Sequence, residues 1–417
     1  MAESRTIIVA GAGIGGLTTA LALAGKGFRV AVLEQADRLE ETGAGVQLSP
    51  NATRILIGLG LEDSLAPLAV APEAIRVVSA RWDSEIVRIP LGALAEMRYG
   101  APYWVIHRGD LQAALVAAVQ THPDIDLRLG ARVDDYAVHS NGITVLTWRG
   151  QRTQNEHGIA LIGADGLWSS VRERILADGP PQFAQRTAWR ATVPTESLAP
   201  QYRTPLVHLW LGSDAHLVHY PVKGGKLVNI VAIIDDRWNK PGWSAAASSG
   251  DLLARFSRFS WCGPARVILG TPERWQKWAL YDRAPTARWS KGPVTLTGDA
   301  AHPMLPFLAQ GAAMAIEDAA VLAECFAWTP DGPEYAMRTY EGMRHARTAK
   351  VQRAARQTGS RYHQPGPAAM LRNLVLEAMG GKRLLARYDW LYDWRATIGG
   401  YRQEPKEMDV LKLTPDE

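Results

Sequence analysis

The chain has 417 residues, 47% of them apolar and 21% charged, which is ordinary for a soluble globular protein and long enough for two or three domains with sizeable cores. Its 46 basic and 42 acidic residues leave a net charge of only +4 without a long basic run, which argues against nucleic acid or an anionic membrane surface as partner. The two cysteines, Cys262 and Cys325, make neither a disulfide framework nor a metal set, no apolar run is long enough to span a bilayer, and no basic and apolar leader precedes the first strand; the expectation is a cytoplasmic protein with no metal and no membrane span.

The first forty residues carry the strongest pattern. Thr6-Ile7-Ile8-Val9-Ala10 is an apolar run of the kind that forms a strand buried on both faces, and Leu17, Ala20, Leu21, Leu23 and Ala24 then recur at helical spacing until Gly25 and Gly27. Between them, Gly11-Ala12-Gly13-Ile14-Gly15-Gly16 sets Gly11, Gly13 and Gly16 in GxGxxG spacing at a strand-to-helix turn. Glycines there allow a tight turn, close approach of the backbone to a pyrophosphate and close helix–strand packing, and the helix N-terminus offers free N–H groups to the phosphates. A second strand, Arg29–Leu33, ends in Glu34, roughly 20 residues on, where an acid accepts the ribose hydroxyls of an adenosine. The pattern predicts a dinucleotide site that takes an unphosphorylated ribose.

Next, Gly43-Ala44-Gly45-Val46-Gln47-Leu48-Ser49-Pro50-Asn51 runs into a helix at Ala52–Leu59, and reads equally as a turn with a cap or as a loop lying along a flat ligand. Residues 75–90 alternate as strands do, and His107-Arg108-Gly109-Asp110 opens an amphipathic helix with Asp110 as N-cap or first-turn acid. Ile125–Leu129, Arg132–Val138 and Ile143–Trp148 read as strands. Ile159–Ile162 reads as a buried one that ends in Gly163-Ala164-Asp165-Gly166, where open α/β sheets bind ligands.

From 183 to about 280 the texture changes to long alternating strands, Thr187–Val193, Leu206–Gly212, His216–Val222, Leu227–Ile234 and Trp275–Tyr281, interrupted by one helix near Asp251–Ser260. Val294–Thr297 returns as a buried strand ending in Gly298-Asp299, followed by a loop and a helix over Gly311–Ala327. The expected fold class is α/β with an α+β insert. A nucleotide-binding domain occupies 1–182 and is completed by 286–330, a mostly antiparallel sheet domain occupies 183–285, and a helical region follows at 331–417 with breaks near Pro365–Pro367 and Gly380-Gly381.

Three separated pieces, Gly11–Gly16 with Glu34, Gly163–Gly166 and Gly298–Pro303, together resemble the single-component FAD-dependent aromatic hydroxylases, the class A flavoprotein monooxygenases. The likeness runs from Ile7 to about Trp394. Ala188-Trp189-Arg190, His216–Val222, His302–Gly311, Ala315–Ala319 and Tyr388–Tyr392 bring it nearer to the salicylate hydroxylase and 3-hydroxybenzoate 6-hydroxylase group. The resemblance implies a Rossmann-like FAD-binding domain, FAD as cofactor, and NADH or NADPH as a co-substrate that binds transiently. It implies that Gly11, Gly13, Gly15, Gly16 and Glu34 hold the ADP half of FAD, and that Asp165 and Gly166 serve both flavin and nicotinamide. Asp299 would hold the ribityl chain, Gly45, Val46 and Arg108 would lie beside the flavin, and Gly311 and Ala312 would present a helix N-terminus to its N1/C2=O edge. Gln47 would lie near flavin and substrate. Where 3-hydroxybenzoate 6-hydroxylases resemble each other in having a glutamine, this chain has Pro306, a departure at a substrate-lining position that favours salicylate.

The implied activity is hydroxylation of a small phenolic acid in aromatic catabolism, through a flavin C4a-hydroperoxide, with O2 and a small aromatic substrate as partners. A homodimer is an open option. Other phenols of the same chemistry, 3-hydroxybenzoate and 6-hydroxynicotinate among them, remain alternatives, as does a non-catalytic flavin-binding regulator. Such a site needs a group that takes a phenol proton near neutral pH, and His216, His219, His302 and Tyr220 are the candidates. His216 and His219, three apart on a strand, face opposite sides, whereas His216 and Tyr220, four apart, share one. That pair is the expected catalytic and substrate-contacting set, with a hydrogen-bonded core pair as the other reading. Arg190 is expected to pair with a substrate carboxylate, or else to lie at the surface. His208 and His219 are expected to be structural, and the role of His302 is open.

Overall fold

The computed structural model describes residues 6–39, 44–150, 152–240, 245–256, 261–329 and 332–396. Gly43, the end of the helix expected at Asp251–Ser260 and the chain beyond 396 lie outside the described residues.

A six-stranded sheet forms the first layer, in the order Ser290–Lys291, Val294–Leu296, Ala160–Gly163, Thr6–Ala10, Arg29–Glu34, Ile125–Leu129. Every pairing in it is parallel except that of Ser290–Lys291. Its central strand is the apolar run at the N-terminus, and Ile7, Ile8 and Val9 have no exposed surface, as a parallel strand covered on both faces requires. The helix Ile14–Ala24 follows it and packs against the helix Gly311–Trp328. Val294–Leu296 pairs with Ala160–Gly163, so a strand from beyond residue 290 completes a sheet begun at residue 6.

The second sheet has eight strands, in the order Ala245–Ser248, Arg274–Asp282, Gln182–Pro194, Leu227–Asp235, Ala215–Val222, Leu206–Leu211, Ala74–Ser79, Glu85–Pro90. All pairings are antiparallel except that of Leu206–Leu211 with Ala74–Ser79. The segment 183–285 therefore does not build this sheet alone, because Ala74–Ser79 and Glu85–Pro90 extend it across the boundary read from the sequence. Two further elements lie outside that reading. The strand Arg152–Gly158 joins a small antiparallel sheet, and a second helix, Gly263–Gly270, follows Ser249–Phe256.

The sheet has two different faces. One is covered by those two helices in an apolar core holding Trp189, Trp210 and Trp275. The other carries Ala188, Ile233 and Leu280 and meets Leu305 and Phe307 from the loop after Asp299. Helices Pro333–Tyr362, Gly366–Ala386 and Asp389–Tyr392 close the structure. The break between the first two falls at Pro365, and Gly380, at φ +68°, kinks the second.

Candidate active site

The first turn uses its glycines for different ends. A Cβ on Gly11, which sits at φ +106°, would lie 2.5 Å from the carbonyl oxygen of Ala164, and a Cβ on Gly16 would overlap the carbonyl oxygen of Gly11. Gly15 faces the helix Gly311–Trp328, its Cβ position 3.1 Å from the Ala315 Cβ, so its missing side chain serves helix–helix packing. Only Gly13 of the four opens onto space, with no protein atom within 4 Å of its Cβ position. No side chain caps the helix that follows, so its first N–H groups have neither a cap nor an intrahelical acceptor. Glu34 supports the turn, its carboxylate accepting the N–H of Ala12 at 2.7 Å and of Ala36 at 2.9 Å.

The carboxylate of Asp165 is taken up by its own loop. It accepts Ser169 Oγ at 2.5 Å, Ser170 Oγ at 3.2 Å and the N–H of Val171 at 3.2 Å, at the start of the helix Ser170–Leu176. Burial pushes its pKa upward, against those hydrogen bonds. What the Asp165-Gly166 turn offers a ligand is therefore backbone, with Gly166 at φ +76°. Arg172 on that helix donates to the carbonyls of Ala300 and Ala301 at 2.8 and 2.7 Å, which ties the loop to the turn after Asp299.

A buried ionic network fixes that turn. Asp318 accepts the N–H of Gly298 at 3.0 Å and pairs with His302 Nε2 at 2.6 Å and Arg344 Nε at 2.7 Å. Burial alone would raise the Asp318 pKa, but the charges of His302 and Arg344 and these hydrogen bonds hold it far below the usual carboxylate range. The Nε2 of His302 is thus taken up by Asp318. Glu317 pairs with Arg344 and Arg347 at 2.7 Å and accepts from Asn51. Asp299 takes no part in that network; its side chain is exposed and lies close enough to Arg108 for the two charges to interact. Burial raises the Asp299 pKa against the pull of His302 and Arg108. At Gly311 and Ala312 the next helix begins with no side-chain cap and no acid in its first turn; its N-cap Gln310 donates instead to Ser49 Oγ at 2.9 Å.

One face of the eight-stranded sheet carries the remaining candidates. The register pairs His216 with Ile233, Tyr220 with Asn229, and Val231 with Arg190, so these residues share one face; His219 pairs with His208 on the other. There the two imidazoles stack at 4.3 Å among Tyr202 and Trp210. The face of Tyr220 is met by the short strand Gly45–Leu48. Gly45 donates its N–H to Asn229 Oδ1 at 2.7 Å, and Val46 beside it pairs with Ile106. The amide of Gln47 accepts the Tyr103 hydroxyl at 2.7 Å and also faces the Tyr220 hydroxyl. Burial raises the pKa of both phenols. Arg190 is part-buried in this face: its guanidinium lies 5.1 Å from the Trp278 ring centroid, its Nε is buried without a hydrogen-bond partner, and burial, with the Arg108 charge adding to it, lowers its pKa. Pro306 sits in the 3₁₀ turn Pro306–Leu308 whose Phe307 packs 5.5 Å from the His216 ring. Tyr103, Asn229, Tyr362 and His363 complete this surroundings and carry no local sequence signal; only tertiary packing brings them in.

Two uncapped helix N-termini, an open cradle at Gly13 and an acid beside an arginine suit an extended dinucleotide that ends in a flat ring. A phenol-, amide- and guanidinium-lined sheet face above it suits a small aromatic acid. Fold and site together define a flavin-dependent aromatic monooxygenase. The comparisons agree. The family profile described as FAD binding domain matches residues 4–355. A 3-hydroxybenzoate 6-hydroxylase of Aquipseudomonas alcaligenes is 37% identical over 399 residues, 95% of this chain and 100% of the relative. A 3-amino-4-hydroxybenzoate 2-monooxygenase of Streptomyces cremeus is 39% identical over 391 residues, 93% of this chain and 94% of the relative. A solved salicylate hydroxylase in its substrate complex has a TM-score of 0.79 at 26% identity, covering 95% of this chain and 97% of that one. The chain belongs to the FAD-dependent aromatic hydroxylase family. Among the described residues no helix is long and apolar enough to cross a membrane.

Proposed function

We propose that this chain hydroxylates a small hydroxylated aromatic carboxylate, salicylate-like, with FAD bound and with NADH or NADPH and O2 consumed. The observation that carries the reading is Arg190, a part-buried guanidinium on the sheet face whose Nε has no hydrogen-bond partner and which pairs with no carboxylate among the described residues. A buried N–H without a partner is costly, and a substrate carboxylate supplies the partner to this guanidinium. The departure at Pro306 favours salicylate, while the names of the relatives add 3-hydroxybenzoate and 3-amino-4-hydroxybenzoate to the panel worth testing.

FAD would be held by Gly11, Gly13, Gly16 and Glu34 at its adenosine end, by the backbone of the Asp165-Gly166 turn, by Arg108 and Asp299 along its middle, and by Gly45, Val46, Gly311 and Ala312 at its ring. Bound there, the flavin supplies the activated oxygen that the ring receives. The chain's own groups do the rest. Arg190 orients the ring through its carboxylate, Gln47 and Tyr220 hold the ring hydroxyl, and Phe307 and Pro306 exclude water. His216, kept neutral by burial, takes the phenol proton and makes the ring more nucleophilic. The single experiment is a panel of hydroxybenzoates and the matching neutral phenols, scored for NADH consumed and hydroxylated product formed, with wild type against Arg190→Met. The expected result is turnover of at least one acid and a rise in its KM of about tenfold or more in the variant, with no matching rise for the neutral phenol. Equal KM values for acids in both proteins would remove Arg190 from the site.

A further inference from the structure

One hydrogen-bonded chain of titratable groups runs out of this site. His216 Nδ1 lies 2.8 Å from Nε2 of His363, and Nδ1 of His363 lies 2.8 Å from Oδ1 of Asp235. Both imidazoles are buried, whereas the Asp235 side chain is 45% exposed. The chain thus leads from the sheet face that carries Tyr220 to solvent. Around it, Arg186 donates from Nε to Asp235 at 2.9 Å, Asp214 donates its N–H to the His363 carbonyl, and the rings of Tyr362 and Phe307 lie 5.3 and 5.5 Å from the His216 ring.

The direction of every hydrogen bond follows from the outer end. A carboxylate only accepts, so Asp235 sets the proton of neutral His363 on Nδ1 and leaves its Nε2 a lone pair. That lone pair sets the proton of neutral His216 on Nδ1, and Nε2 of His216 becomes the free acceptor. Nε2 is also the His216 nitrogen that has no protein partner among the described residues. With the opposite tautomer Nε2 would carry a hydrogen and could take none. Burial, with His363 and Arg186 adding to it, keeps the His216 pKa well below the ordinary imidazole value, so a proton accepted there needs somewhere to go. At the far end burial alone would raise the Asp235 pKa, but His363 and Arg186 outweigh it and keep the carboxylate ionised.

We infer that His363 and Asp235 are positioning residues of the hydroxylation, which set the His216 tautomer that accepts the substrate proton and carry that proton to solvent. This rests on the reading of His216 as the base. As the substrate O–H bond breaks, Nε2–H of His216 forms. The Nδ1–H bond of His216 breaks as Nε2–H of His363 forms, the Nδ1–H bond of His363 breaks as Oδ1–H of Asp235 forms, and water takes the last proton. No electrons change hands in this transfer. When the hydroxylated ring regains aromaticity its oxygen takes a proton back along the same path, which restores both tautomers.

The test compares wild type, Asp235→Asn, Asp235→Glu, His363→Gln and His216→Ala with salicylate and 3-hydroxybenzoate as probes. Two quantities are read: product formed per NADH consumed as a function of pH, and the proton released on substrate binding, followed with an indicator dye in weak buffer. Asp235→Asn and His363→Gln are expected to release the proton on the order of tenfold more slowly or worse, and to need a higher pH for the same coupling, at unchanged FAD content. Asp235→Glu, which keeps the acceptor, is expected to restore both. Wild-type release and pH profile in Asp235→Asn and His363→Gln, with coupling lost in His216→Ala, would overturn the relay and leave the base standing. Coupling kept in His216→Ala would sink the base and the relay together. Asp235→Asn changes almost no volume at an exposed position, so it carries the test even where His363→Gln fails to fold.

Discussion

Asp318 accepts a hydrogen bond from the backbone N–H of Gly298 at 3.0 Å, and through it the helix Gly311–Trp328 holds the turn that presents Asp299. The same carboxylate is hydrogen-bonded to His302 and paired with Arg344, all three of them buried. Removing one charge from such a network leaves the others uncompensated, which typically costs about 3–5 kcal/mol. Asp318→Asn is therefore expected to lower unfolding stability by roughly 3 kcal/mol and to weaken FAD binding by loosening the Asp299 turn. Denaturant titration and flavin content check it; stability within about 0.5 kcal/mol of wild type would mean the network does not hold the turn.

Gly13 and Gly16 should separate cofactor binding from folding. A side chain at 16 must collide with the carbonyl of Gly11, whereas one at 13 enters space free of protein atoms. Gly13→Val is expected to fold with near wild-type stability and to lose FAD, because its methyls occupy the path of the pyrophosphate. Gly16→Ala is expected to lose stability even before cofactor is considered. Thermal unfolding of the FAD-free proteins, followed by flavin titration, distinguishes the two. Full FAD occupancy in Gly13→Val would remove the first turn from the cofactor site.

Acid should destabilise the sheet domain through the stacked pair His208 and His219. Burial, followed by the Arg76 and Arg88 charges, lowers the His208 pKa to about 4, and burial with His208 and Arg76 lowers that of His219 well below 6.5. Both groups take protons more readily in the unfolded chain. Their contribution is thus fully present above about pH 6.5 and is lost as pH falls below it, for His208 until about 4, at about 1.4 kcal/mol per pH unit for each imidazole. Denaturation midpoints at about pH 7.5 and 5.5 measure the slope, and His219→Phe is expected to flatten it. A slope no smaller in that variant would assign the acid sensitivity to other groups.

How far the site was legible in the sequence depends on the range of each interaction. The Gly11–Gly16 turn was readable because strand, turn and helix are contiguous, and the shared face of His216 and Tyr220 because a strand alternates with period two. The partners that give these residues their chemistry come from elsewhere: His363 lies 147 residues from His216, and Gln310 lies 261 from Ser49. The same range explains the sheet boundary. Ala74–Ser79 is locally an ordinary strand, and its parallel pairing with Leu206–Leu211 depends on a crossover that no local pattern announces. Asp165 was read by its position at a strand end, but three neighbours in its own loop had first claim on its oxygens.

Gly45 should set how closely the flavin-side strand approaches the substrate-side sheet. A Cβ there would lie 2.6 Å from Tyr220 Cε2, 2.8 Å from the Tyr220 hydroxyl oxygen and 2.8 Å from Asn229 Cγ, while the Gly45 N–H is held by Asn229 at 2.7 Å. An alanine cannot move away without giving up that hydrogen bond, so Tyr220 must turn and loosen its contact with Gln47. Gly45→Ala is expected to keep FAD and to lose about tenfold in kcat/KM for hydroxylation, because displacement by a fraction of an ångström already spoils a reactive alignment. A double-mutant cycle identifies the cause. With Tyr220→Ala the obstructing ring is gone, and Gly45→Ala in that background is expected to cost little more, giving a coupling on the order of 1 kcal/mol or more between two residues that share no hydrogen bond. If the two substitutions instead add independently, the loss in Gly45→Ala comes from Asn229 and the strand itself, and Tyr220 has no part in it.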